Sequence, residues 1–190
     1  MQMRKIFTLV VIALLPVVSG CAAVAVGGAV ATGVMVAEDR RTVGTMTEDE
    51  GIEQKASIRI AEKLKDAHIN VTSYNRMVLL TGEVPTEAAK ADAERIARAV
   101  ENVRSVFNEL QVAGNTSMQS RTNDSVLTSK VKGRFVDAGK FSPVHVKVVT
   151  ENGVVYLMGM VKKQEAADAT EITRTTGGVS KVVRVFEYLD

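Results

Sequence analysis

The side chains able to do chemistry are few in this chain, and their spacing says more than their number. There is one cysteine, Cys21, and there are two histidines, His68 and His145, in 190 residues. The histidines stand 77 residues apart, each just ahead of a strand-like stretch, so they read as one structural position occurring twice. Two imidazoles from one fold position can meet across a pseudo-twofold contact and hold a metal. No cysteine or carboxylate pattern accompanies them, so the expectation is a structural or solvated pair and no metal site. Asp92 and Asp168 also repeat, and read as exposed surface residues rather than an acid/base couple. A nucleophile elbow, a phosphate loop and a metal motif are all missing from the sequence, so no catalytic residue and no cofactor is assigned and the chain reads as non-enzymatic. What remains is binding chemistry, in a helix-like stretch where Lys130 and Lys132 alternate with Val126 and Val136.

The elements that would position these residues come in pairs. Ile69–Val84 and Val146–Val161 each alternate apolar and polar residues, turn at a polar pair (Asn75-Arg76, Asn152-Gly153) and resume up to a glycine, Gly82 or Gly159. That pattern is a β-hairpin signal, with Asn-Gly its strongest short form. A constant offset of 77 superposes Ile69 on Val146, Val78 on Val155 and Leu80 on Leu157. Ahead of the first hairpin, Ala56, Ile60, Leu64 and Ala67 recur at helical spacing from Ile52 onward. Leu127, Val131, Phe135 and Ala138 repeat that stripe at an offset of 71, leaving six extra residues within Gly139–His145. After each hairpin comes a second helix, opened in the first copy by Pro85-Thr86-Glu87, and then a strand that contains Val103, Val106, Phe107 and Leu110 in the first copy. Each copy is therefore α-β-β-α-β. The fold class is α+β, two tandem small domains, each with a three-stranded mixed sheet against two helices. Copies of this size sit near the lower limit for an independent core, so they are expected to pack on each other.

Residues 1–20 read as an export signal, with Arg4 and Lys5 at a charged start, an apolar run from Ile6 to Val18, and small residues before Cys21. Residues 21–51 then form a tether and linker, with Glu48-Asp49-Glu50 as a solvated acidic cluster; 52–112 is the first domain, 113–122 a linker, and 123–190 the second domain. Removing Arg4 and Lys5 from the 24 basic residues leaves 22, equal to the 22 acidic ones. The positive excess is confined to 121–190, with 11 basic and 8 acidic residues. With so small a basic footprint, sparse aromatics and no Trp, a nucleic-acid partner is not expected.

Two resemblances sharpen this reading. Val18-Ser19-Gly20 before Cys21 looks like the lipobox of bacterial lipoproteins, which implies a thioether-linked diacylglyceryl on Cys21, cleavage before it, and acylation of the new amine, including palmitate. Ala22 after the cysteine implies sorting to the outer membrane. The twofold α-β-β-α-β unit, the Val78-Leu-Leu-Thr-Gly82 and Val155-Tyr-Leu-Met-Gly159 segments and the closing Gly178-Val-Ser-Lys-Val182 resemble BON domains. The mature chain as a whole is similar to dual-BON outer-membrane lipoproteins. That resemblance implies a monomeric, periplasm-facing protein that binds anionic, phosphatidylglycerol-like phospholipid through the first helix of its second BON domain. It also implies enrichment at the division septum and support of outer-membrane integrity. The alternative is a protein-interaction adaptor for envelope assembly, stress response or division partners.

The helical wheel agrees with the first alternative. At about 100° per residue from Val126, the stripe Leu127, Val131, Phe135 and Ala138 spans about 100° to 180°. Val126, Ser129, Lys130, Lys132, Gly133 and Val136 occupy the other side and form the candidate lipid-binding face. Lysines that attract phosphate beside aliphatic groups that enter the acyl boundary are what a helix lying on an anionic bilayer uses. The corresponding face of the first helix carries Glu53 and Glu62 and is expected to bind less well.

Overall fold

The computed structural model describes residues 38–114 and 118–190. The expected signal peptide, Cys21 and most of the tether lie outside the described residues. Helix α1 spans Val43–Lys63, and the hairpin strands β1 and β2 follow as His68–Tyr74 and Met77–Val84. Helix α2 is Glu87–Arg98, then come β3 (Ser105–Asn108) and the two-residue β4 (Gln111–Val112). The second copy runs α3 (Met118–Ala138), a 3-10 turn (Pro143–His145), β5 (Val146–Glu151), β6 (Val154–Val161), α4 (Lys163–Arg174) and β7 (Lys181–Tyr188). Among the described residues no helix is long and apolar enough to cross a membrane.

Both sheets have the hairpin antiparallel and the closing strand parallel to the hairpin's second strand, in the order β1-β2-β3 and β5-β6-β7. In the first copy the closing strand is broken. Strands β3 and β4 pair with β2 in one continuing register, Val78 against Val106 and Val84 against Val112, and Asn108 turns its side-chain oxygen to the Leu110 amide at the break. Both hairpins turn through two residues of positive φ, Asn75 and Arg76 in one and Asn152 and Gly153 in the other, the type I′ geometry that matches strand twist.

One face of each sheet lies on its own helices. Ile52, Ala56 and Ile60 of α1 and Ala89, Ala93 and Ala97 of α2 cover Val78, Leu80 and Val84. In the second copy Leu127, Val131 and Phe135 cover Val146, Val148, Val155 and Leu157, and Phe141, in the inserted segment, packs edge-on against Phe135 at 5.1 Å. The small residues of α2 let that helix lie close to its sheet. The opposite faces pack on one another. Tyr74, Met77 and Leu79 meet Tyr156, Met158 and Val185 in a third apolar cluster, so all eight residues of β2 are buried. The copies thus form two sheets back to back with helices outside, and each sheet is covered on both sides.

Four expectations need correction. Helix α1 begins at Val43, not Ile52, because Thr42 caps it by accepting from the Thr45 amide. Its first turns lack an apolar stripe, which is why they resembled a linker. Asp49, expected in a solvated acidic cluster, is only 3% exposed. The stretch 113–122 also gives way to helix, at Met118. Ala138, placed in the core stripe, is exposed at the end of α3, where the chain leaves the sheet.

Candidate functional site

Helix α3 is fixed from three directions. Its apolar stripe is sunk in the second core. Near its start Asp124 accepts the Asn152 and Gly153 amides, both at 2.8 Å, and so ties the helix to the hairpin turn. Toward its end Arg134 donates to the Ile172 carbonyl at 2.8 Å and to the Thr176 hydroxyl at 2.7 Å, which uses this cation for helix-to-helix packing. What is left for solvent is the arc expected from the sequence. Val126, Ser129, Lys130, Lys132, Gly133 and Val136 are all exposed, the valines 50% and 66% so. None of the six is covered by the first copy.

Val43 and Ile58 on α1 are exposed to a similar degree, so what sets this face apart is the pairing of its valines with the lysines beside them. Gly133 is unexplained by packing, since a Cβ there would meet nothing within 4 Å. The lysines of this face have no carboxylate partner among the described residues, whereas the basic residues of α1 are largely engaged: Lys55 with Glu101 at 3.3 Å and Lys63 with Asp92 at 3.6 Å. On α1 Glu53 is also taken up, by Lys147 across the seam at 2.8 Å. The difference between the two first helices is therefore one of available charge as well as sequence. A cleft of about 430 Å³ opens beside the N-terminal half of the face, with Lys130 and Val126 on one side and the Asn152-Gly153 and Gly177-Gly178 loops on the other.

The sequence reading missed the acidic residue of this arc. Asp137 is exposed and falls at about 20° on the wheel, between Val126 and Lys130. It reduces the net charge of the face from two positive to one. The missed signal was present in the spacing, since Asp137 lies 11 residues, about three turns, after Val126.

The repeated pairs separate. His68 directs Nδ1 to Glu83 at 3.1 Å, while His145 faces Glu165 at 3.7 Å, so each has its own carboxylate. The partners differ because Met160 occupies in the second hairpin the place of Glu83 in the first. Asp92 and Asp168 are held in ion pairs with Arg95 and Lys140, which lower their pKa values. Glu165 is drawn down to about 2, chiefly by its hydrogen bonds from Arg40 at 2.6 and 2.8 Å. Tyr156, buried between the sheets, is pushed up to about 12 by desolvation and by the charges of Glu109 and Glu151.

Two segments of the chain, 48–114 and 123–190, each match the model of the BON domain. The chain belongs to the BON-domain family. It is 40% identical over 174 residues to a protein of Haemophilus influenzae named outer membrane lipoprotein DolP, covering 90% of each chain. It is 33% identical to a 21 kDa hemolysin of Actinobacillus pleuropneumoniae, over 80% of this chain and 79% of the relative. It is 32% identical to the osmotically-inducible protein Y of Escherichia coli, over 74% and 72%. The two copies thus have the expected family fold, α+β with mixed sheets, and the exposed face of α3 belongs to the first helix of the second BON domain.

Proposed function

We propose that this chain is an outer-membrane lipoprotein, acylated at Cys21 and facing the periplasm, that docks on anionic phospholipid through the outward face of α3 and so helps to maintain the membrane. Enrichment at the division site belongs to the same reading. The observation that carries the docking step is the exposure of Val126 and Val136 beside two lysines that have no ion-pair partner among the described residues. Each lysine near an anionic surface contributes about 1 kcal/mol, and the valines add apolar burial at the acyl boundary. A core BON unit with one cationic and greasy helix needs only a tether to become a membrane-surface reader, and the kinship with a named outer-membrane lipoprotein supports the tether. The proposal assigns the chain no reaction.

The test is sedimentation of the compact unit Arg40–Asp190 with phosphatidylglycerol-containing and purely neutral vesicles, at low and high salt. Binding should require the anionic lipid and weaken with salt, because screening shortens the reach of the lysines. Lys130→Glu changes the charge by two and should weaken binding about 30-fold, from about 2 kcal/mol. Equal pelleting with neutral vesicles would remove the reading. The adaptor alternative has one observation in its favour, that β7 is an eight-residue strand at the sheet edge, open to pairing with a partner strand.

A further inference from the structure

We propose that the seam between the two BON domains binds a divalent transition-metal ion through His68 and Glu83 of the first domain and Glu151 of the second. One ligand atom from each of the three lies within 4.8 Å of the others. The arrangement follows from the strands. His68 and Glu83 are register partners across β1 and β2, so their side chains share one face, and Glu151 ends β5 on the sheet packed against it. The centre of that seam is apolar, and polar contacts lie around it, Lys147 with Glu53 and Asn75 with Glu187 among them; among the described residues this group is the one that gathers an imidazole and two buried carboxylates.

The three groups are built into the fold rather than gathered on its surface. Glu83 and Glu151 are both more than nine-tenths buried. Two buried carboxylates carry a charge that the interior does not tolerate without a nearby cation. Among the described residues Glu151 is held by neutral donors and by no ion-pair partner. Asn70 donates to Glu151 at 2.7 Å, and the Thr81 hydroxyl lies at 3.4 Å from the same oxygen, fixing that carboxylate as outer partners fix a metal ligand. Cavities of about 230 and 290 Å³ reach the group from either side, one bordered by His68 and Glu151, the other by Glu83, Glu151 and Glu109. One imidazole and two carboxylates suit zinc or manganese better than magnesium or calcium, which favour all-oxygen shells. Arg121 and Lys181 border the same cavities and are the side-chain cations that would compete with the metal.

Because the ligands come from both domains, the ion would fasten one to the other, independently of the lipid face. The test is calorimetric titration of zinc into the full chain, purified in detergent and stripped with a chelator. One site per chain is expected, with affinity falling about tenfold or more in Glu151→Gln and in His68→Gln, and unchanged in His145→Gln and Cys21→Ala. Nitrogen-15 spectra of the wild-type imidazoles give a reading that does not depend on any variant folding: zinc should move the resonances of His68 and leave those of His145. Absence of zinc binding by the wild-type chain, affinity indifferent to Glu151→Gln in a folded variant, or a response at His145 instead would each overturn the proposal.

Discussion

Asp49 and Asp124 do the same work in the two domains from positions that the core repeat does not equate. Each carboxylate takes both amides of a hairpin turn: Asp49 those of Asn75 and Arg76 at 2.8 and 2.7 Å, Asp124 those of Asn152 and Gly153. The helix stripes repeat at 71 residues and the hairpins at 77, yet the two aspartates are 75 apart. By the helix repeat Asp124 stands where the first domain has Glu53, so the clasp has moved by about one helical turn. Asp49 does more than its counterpart, since it also receives the Ser73 hydroxyl at 2.6 Å and the Arg41 guanidinium at 2.9 Å.

That difference predicts unequal losses. Asp49→Ala leaves two turn amides, a buried hydroxyl and a guanidinium without their acceptor, and should destabilise the fold by about 3–5 kcal/mol. Asp124→Ala strands two amides and should lose about 1–3 kcal/mol. Urea unfolding of the two variants measures both; a smaller loss at Asp49 than at Asp124 contradicts the assignment.

The hairpin glycines allow a sharper contrast. A Cβ on Gly82 would lie 2.1 Å from the His68 carbonyl oxygen, and one on Gly159 would lie 2.3 Å from that of His145. Both obstacles are backbone, so neither can rotate away. Gly82→Ala and Gly159→Ala should each remove at least about 3 kcal/mol or leave the chain insoluble. Gly133→Ala has open space and a helical backbone and should instead gain about 0.5–1 kcal/mol. Melting curves for the three variants suffice, and a stable Gly82→Ala chain would refute the account.

These same positions show what could be read from the sequence and what could not. Gly82, Gly159 and the Asn-Gly turn announced the hairpins because their backbone demands are local, and the constant offset of 77 equated Val78 with Val155 and Leu80 with Leu157. The exposed arc of α3 followed from helical periodicity and the buried stripe opposite. The first two turns of α1 were illegible because what holds them is polar and distant: Asp49 contacts residues more than 20 positions away. A charged triplet with no stripe looks identical whether it is solvated or bonded. The grouping of His68 with Glu151 was hidden for a related reason, since a repeat shows that two copies exist but not which faces meet.

Arg40 supplies a pH prediction. Its guanidinium spans the Glu165 carboxylate and also donates to the Met160 carbonyl at 2.7 Å, which docks the start of the first domain's chain on the second. The folded pKa of Glu165, about 2, lies below its ordinary value. Its contribution to stability is therefore fully present above pH of about 4.5 and is lost as pH falls through 2. Glu165→Gln should flatten the acid limb of the stability curve between those values, and Arg40→Ala should do the same while losing about 1–2 kcal/mol at neutral pH. Equal acid sensitivity in wild type and Glu165→Gln would show that other carboxylates govern the transition.

The lipid face makes its own prediction through the residue that opposes it. Asp137 stands on the same arc as Lys130 and repels the surface that the lysine attracts, so removing its charge should strengthen docking where Lys130→Glu weakens it. Asp137→Asn changes the charge by one, about 1 kcal/mol, or about fivefold tighter binding to phosphatidylglycerol vesicles at low salt. Val126→Trp acts on the other term. Val126 is half exposed on the same face, and an indole there would settle at the headgroup level, raising affinity with little change in salt dependence. The two effects can thus be separated by titrating salt: the gain from Asp137→Asn should fade as screening increases, and that from Val126→Trp should persist. If both variants bind as wild type does, α3 is not the surface that meets the bilayer.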